Sequence, residues 1–226
     1  HFVRGHHKIL WYDIHPRTNA IMNNNRILLV VTGASRGLGR AIFQAFFEKH
    51  QENGFPVARC CLVARSRDGL AATKDLLQSS WSTPEQSCIV DTHVVDLGDL
   101  DTLDTRWQEI MRNLAPTDFD KLILINNAGS IGEIAPMATS SSSLKEWRQT
   151  IDLNVTSYFW TTRVWGQWAI TNKIEATLVN ISSLVAVQPF PTMSLYSAGK
   201  AVCHVATFLT GKSKICATVL RVSHPT

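Results

Sequence analysis

An apolar run at residues 26–31 (RILLVV) feeds directly into residues 32–39 (TGASRGLG), after which Leu38, Ala41, Ile42, Ala45 and Phe46 recur at helical spacing. Buried strand, glycine turn and amphipathic helix in immediate succession is the opening of a parallel α/β sheet. Glycines let a backbone come close to a pyrophosphate, and the free N–H groups of a helix N-terminus attract its charge. The spacing is G-x3-G-x-G, not the more familiar G-x-G-x-x-G. A turn that serves the fold alone is the competing reading. Taken functionally, Gly33, Ser35, Arg36, Gly37, Leu38 and Gly39 form a candidate phosphate cradle.

The alternation continues. Apolar, β-branched segments at residues 58–64, 89–95, 122–125, 177–181 and 215–222 read as strands. Helical spacing is expected over residues 68–79, 100–114, 144–168 and from Ser194 to about Leu209. Closing turns are expected at residues 53–56 and 82–84. The expected fold is therefore α/β: a Rossmann-like doubly wound parallel β-sheet in three layers, α/β/α. A chain of 226 residues with 45% hydrophobic and 18% charged residues suits one such domain. It is expected over residues 26–226, after a loosely ordered arm at residues 1–25 with no recognisable period and no signal peptide.

The net charge of +4 is scattered, with no basic stripe interleaved with aromatics, so no nucleic-acid partner is expected. No apolar run reaches the length of a membrane span. The five cysteines are odd in number and form no CxxC, which suggests a reduced, cytosolic set. His1, His6, His7 and His15 lack a carboxylate or cysteine at ligand spacing, and no metal site is expected.

Several strand ends carry candidate contacts. The second strand ends in Arg65-Ser66, where many NAD-binding folds place an acidic residue on the ribose. An arginine there suits a 2′-phosphate; a solvated loop arginine is the alternative. Asp96-Leu97 ends the third strand, and Asp96 either accepts from an adenine amino group or caps the next helix. Asn127, Ala128 and Gly129 follow the fourth strand, small enough for a ribose or nicotinamide to lie against the backbone. The serine run 140–143 reads as a flexible loop before the long helix. Asn154 is out of place inside that helix: either an exposed residue or a deliberate disturbance. Trp165 and Trp168 share a stripe with Thr161 and Val164, expected in the core first and at an oligomer interface second.

The densest chemistry lies at residues 182–200. Tyr196 and Lys200 fall one turn apart on one helical face. An ammonium beside a phenol is expected to lower the phenol's pKa and so help it give a proton to a carbonyl oxygen. Ser183, at the neighbouring strand end, can hydrogen-bond the same oxygen. A half-buried tyrosine and a solvated lysine are the plain alternative.

TGASRGLG, Asp96-Leu97, NNAG at residues 126–129, Asn154, Ser183, Tyr196 and Lys200 occur in the order of the short-chain dehydrogenases/reductases, which the chain resembles over residues 26–222. Within that family, LLVVTGASRGLGRAI, LVARS, LILINNAGSIG, LVNISSLVAVQPF and LYSAGKA are most similar to reductases of pterin side-chain ketones in tetrahydrobiopterin synthesis. The resemblance implies NADP(H) as cofactor, a small-molecule ketone substrate, a homodimer and a cytoplasmic location. It implies Tyr196 as general acid, Ser183 orienting the carbonyl, Lys200 on the nicotinamide ribose, and Asn154 holding a proton-relay water. It also implies a substrate-covering segment and a pterin-anchoring aspartate after the last strand. Residues 221–226 (RVSHPT) stand there instead, so the domain is expected to lack them. Reduction of another ketone, or a non-catalytic NADP-binding or dimerising fragment, are the alternative functions.

Overall fold

The computed structural model describes residues 26–52, 57–79, 88–188, 190–208 and 215–222. The expected arm at residues 1–25, the turns at 53–56 and 82–84, and the end after residue 222 lie outside them. The strands are β1 (Ile27–Thr32), β2 (Val57–Ala64), β3 (Ile89–Val94), β4 (Lys121–Asn126), β5 (Glu175–Ser183) and β6 (Ile215–Val222). They form one sheet in the order β3-β2-β1-β4-β5-β6, and every pair is parallel. Between them run α1 (Gly37–Glu52), α2 (Arg67–Gln78), α3 (Leu100–Arg112), α4 (Leu144–Ile151), α5 (Ser157–Thr171) and α6 (Ser194–Phe208). The order reverses between β1 and β4, so the strand ends there open a crevice, the usual binding place of such sheets.

Three layers follow from strand periodicity. Leu28 and Val30 face the side of α3 and α5 and pack with Leu103, Trp107, Val164 and Trp165. Leu29 and Val31 face the other side and pack with Ile42, Phe43, Leu70 and Leu77. Central strands buried on both faces must be apolar throughout, and all six residues of β1 but Thr32 are. Cys60 and Cys61 go to opposite faces, as alternation requires, and both are free thiols.

The tryptophan stripe belongs to the core. Trp165 is fully buried and meets Trp107 edge to face at 5.7 Å, while the Trp107 indole donates to Thr161 Oγ1 at 3.2 Å. We expect Trp107→Ala to lower stability by about 3–5 kcal/mol, read as a lower urea midpoint, because it opens a cavity and leaves the Thr161 hydroxyl without its partner.

The expected single helix over 144–168 is corrected. It begins at Leu144 with a capping box between Ser143 and Glu146, passes through a π-helical segment at Asp152–Thr156, and resumes as α5 to Thr171. The serine run is also not a loose loop. The Glu133 carboxylate accepts from the Ser140, Ser141 and Ser142 hydroxyls and from the Ser141 and Ser142 amides. These hydrogen bonds hold its carboxyl well below the usual range.

Candidate active site

The glycine turn is built by close packing of backbone. A Cβ on Gly39 would come within 2.2 Å of the Gly33 carbonyl oxygen, which no side chain tolerates. Gly37 heads α1 at φ +55°, and a Cβ there would point into open space in front of the helix. Thr32 is the hinge: its hydroxyl accepts from the Asn127 and Ala128 amides at 3.0 and 3.1 Å. The Asn127 side chain donates back to the Thr32 and Gly33 carbonyls. Asn127 thus clasps the turn.

Ser35 is tied through its carbonyl to Arg40, whose guanidinium also reaches Thr73 Oγ1 at 2.9 Å and Gly69 O at 3.3 Å. Arg36 is exposed on the turn, and Leu38 packs against the α1–α2 side of the core. Ser66 caps α2 by accepting from the Gly69 amide at 3.1 Å. Arg65 is 67% exposed, with Nη1 3.8 Å from Asp96 Oδ2. Such a surface pair is weak and leaves the guanidinium available. Asp96 does not cap α3: the cap position is Asp99, and Asp96 Oδ1 instead accepts from the Gly98 amide at 3.0 Å. Leu97 is buried against α3.

Ser183, Tyr196 and Lys200 converge. A hydrogen bond links the Ser183 hydroxyl to the Tyr196 phenol, and Lys200 Nζ lies 5.7 Å from the centre of the phenol ring. Lys200 is buried, with Nζ donating to the Ile181 carbonyl at 2.7 Å. The expected lowering of the Tyr196 pKa is corrected. Burial raises it above its ordinary 10.0, with the Ser183 hydrogen bond opposing in part. Burial likewise lowers Lys200 below 10.5. Desolvation disfavours each charged form, and the ammonium is turned to a carbonyl rather than to the phenol oxygen.

Asn154 sits in the π-helical segment and is buried. Its side chain accepts from the Ser130 amide at 2.9 Å and donates to the Ser130 carbonyl at 2.7 Å. The Cys203 thiol donates to its backbone carbonyl at 3.3 Å. One extra residue per turn re-aims that carbonyl and ties the segment to both α6 and the loop after β4. A cavity of about 20 Å³, room for one water, lies among Asn126, Asn154, Tyr158, Asn180, Lys200 and Cys203. Thr32, Arg40 and Cys203 escaped sequence reasoning. Cys203 alone left a signal, lying one turn beyond Lys200.

These features define a class: a doubly wound α/β protein with a glycine turn at its switch point and a Ser–Tyr–Lys cluster across the crevice. The short chain dehydrogenase family model matches residues 28–211. Sepiapterin reductase from Rattus norvegicus is 34% identical over 175 residues, 76% of this chain and 63% of its own length. Sepiapterin reductase from Bos taurus is 30% identical over 190 residues, 78% and 63% of the two chains. A solved metagenomic short-chain oxidoreductase in complex with NADP superposes with a TM-score of 0.69 at 23% identity, covering 87% of this chain and 81% of that one. The chain belongs to the short chain dehydrogenase family. It spans about 63% of the length of these curated relatives.

Proposed function

We propose that this chain is an NADP(H)-dependent carbonyl reductase whose substrates are pterin side-chain ketones. The observation that carries the chemistry is the Ser183–Tyr196 hydrogen bond beside the buried Lys200 ammonium. The crevice suits the cofactor: the space in front of Gly37 at the head of α1 takes a pyrophosphate, and residues 35–39 offer their amides. Arg36 and Arg65 suit the 2′-phosphate, Asp96-Leu97 the adenine, residues 127–129 the riboses and ring, and Tyr196 and Lys200 the nicotinamide ribose. The cofactor supplies the hydride.

The side chains do the rest. Tyr196, a phenol protonated at neutral pH, gives its proton to the carbonyl oxygen as negative charge develops there. Ser183 donates to the same oxygen and fixes its direction. Lys200 stabilises the phenolate left behind, and the Asn154 carbonyl and neighbouring cavity hold the water that returns a proton. Support for the pterin comes from the sepiapterin reductases at 30–34% identity. A cytoplasmic homodimer belongs to the same reading.

The test is NADPH oxidation with sepiapterin beside a panel of simple diketones. Sepiapterin should show the highest kcat/KM; turnover of diketones alone would replace the pterin with another ketone. Cofactor choice is tested separately. NADPH should bind about ten- to hundredfold tighter than NADH, from about 1.5–3 kcal/mol of charge-assisted contact. Arg65→Ala should remove most of that margin and leave NADH almost unchanged, read by fluorescence titration. Equal affinities in the parent chain would refute the arginine's role.

A further inference from the structure

Away from the crevice, parallel pairing sets Cys61 of β2 opposite Asp91 of β3, and Val63 opposite His93. Alternate residues share a face, so Cys61, Asp91 and His93 project together on the α3 side of the sheet. One donor atom from each lies within 4.8 Å of the other two. We propose that these three side chains form a binding site for a divalent transition-metal ion, zinc in particular, at the β2–β3 edge.

The donor set selects the ion. One sulfur, one imidazole nitrogen and one carboxylate suit zinc, whereas magnesium and calcium take oxygen ligands. Tetrahedral zinc holds such donors roughly 3.5 Å apart, a distance that small side-chain rotations reach from the present spacing. His93 Nε2 is sealed from solvent and has no hydrogen-bond partner among the described residues. A buried nitrogen of that kind asks for an explanation, and a coordinated metal supplies one. Burial also keeps the imidazole neutral, with a lone pair to give.

The Asp91 carboxylate is held from outside. Arg59 Nε binds its Oδ2 at 2.5 Å, and the same guanidinium is anchored on the Asn113 carbonyl at 3.0 Å. That is how outer partners orient a metal-ligating carboxylate while its other oxygen stays available. Burial pushes the Cys61 thiol up to about 12, so it is protonated before the metal arrives. Binding breaks the S–H bond, forms the metal–sulfur bond and releases the proton to solvent. Thiolate and carboxylate then balance the ion's two charges. Cys61 is buried, whereas Asp91 and His93 are only partly so.

The experiment uses the full chain, N-terminal histidines included. Zinc affinity is measured in competition with a chromogenic chelator, and cobalt is bound as a spectroscopic stand-in. The parent chain should show a near-ultraviolet thiolate-to-cobalt band and a higher melting temperature with zinc. Cys61→Ser should abolish the band and Cys60→Ser should keep it. His93→Gln should weaken zinc binding at this site by at least about 100-fold and cancel the thermal shift. His93 is less deeply buried than Cys61, so this variant carries the test even if Cys61→Ser fails to fold. Zinc held by His1, His6, His7 or His15 would survive in His93→Gln. An unchanged affinity there, or a cobalt band that survives Cys61→Ser, overturns the proposal.

Discussion

Tyr196→Phe should bind NADPH like the parent chain and turn over about 10²–10⁴-fold more slowly, the usual worth of a positioned proton donor. The substitution removes one oxygen from a half-buried ring and leaves the packing of α6 on β5 intact, so circular dichroism should not change. The direction of the pH dependence follows from the shifts. Reduction needs the phenol protonated and Lys200 charged, and both conditions hold below their pKa values. Tyr196 lies above 10.0 and Lys200 below 10.5, each moved by burial. Turnover should therefore be lost as pH rises, through whichever of the two pKa values is the lower. A Tyr196→Phe protein with near-parental kcat would remove Tyr196 from the chemistry, and the Ser183 hydroxyl would be the remaining donor within reach of the oxygen.

The parts of this molecule that were readable in advance are those written in local pattern. β1 is apolar up to Thr32, β2 is apolar but for Arg59, and the glycine turn follows β1 without a spacer, so strand, turn and helix could be placed from neighbours alone. What escaped depends on contacts across the sheet. Thr32 meets Asn127 only because β1 and β4 are adjacent, 95 residues apart in sequence. Cys61, Asp91 and His93 meet only through the β2–β3 register, so linear spacing concealed the set. Asn154 is the intermediate case. Its poor fit to a helix interior was legible, but not the π-helical segment that accommodates it, which needs Ser130 and Cys203 as partners. The Tyr196 pKa was misjudged for a related reason. Spacing put an ammonium one turn away, but could not reveal that the ammonium points at the Ile181 carbonyl or how deeply both groups are buried.

Lys200→Met should damage both binding and rate, because one buried ammonium serves two partners. As a donor to a ribose hydroxyl it contributes about 1.5–3 kcal/mol, so NADPH affinity should fall roughly ten- to hundredfold. As a charge 5.7 Å from the centre of the phenol ring it stabilises the phenolate left after proton transfer, and its loss should lower kcat by a similar factor at saturating cofactor. Together, kcat/KM measured at low cofactor should drop by about 10²–10⁴. Methionine also leaves the Ile181 carbonyl without its donor, at a cost of about 1–3 kcal/mol in stability. Rates must therefore be compared at equal folded concentration. Lys200→Arg separates charge from shape. Guanidinium stays charged at every accessible pH, so any alkaline loss set by Lys200 should move upward or vanish in that variant. If the alkaline loss is unchanged in Lys200→Arg, it belongs to Tyr196 instead, and the ammonium acts on the ribose alone.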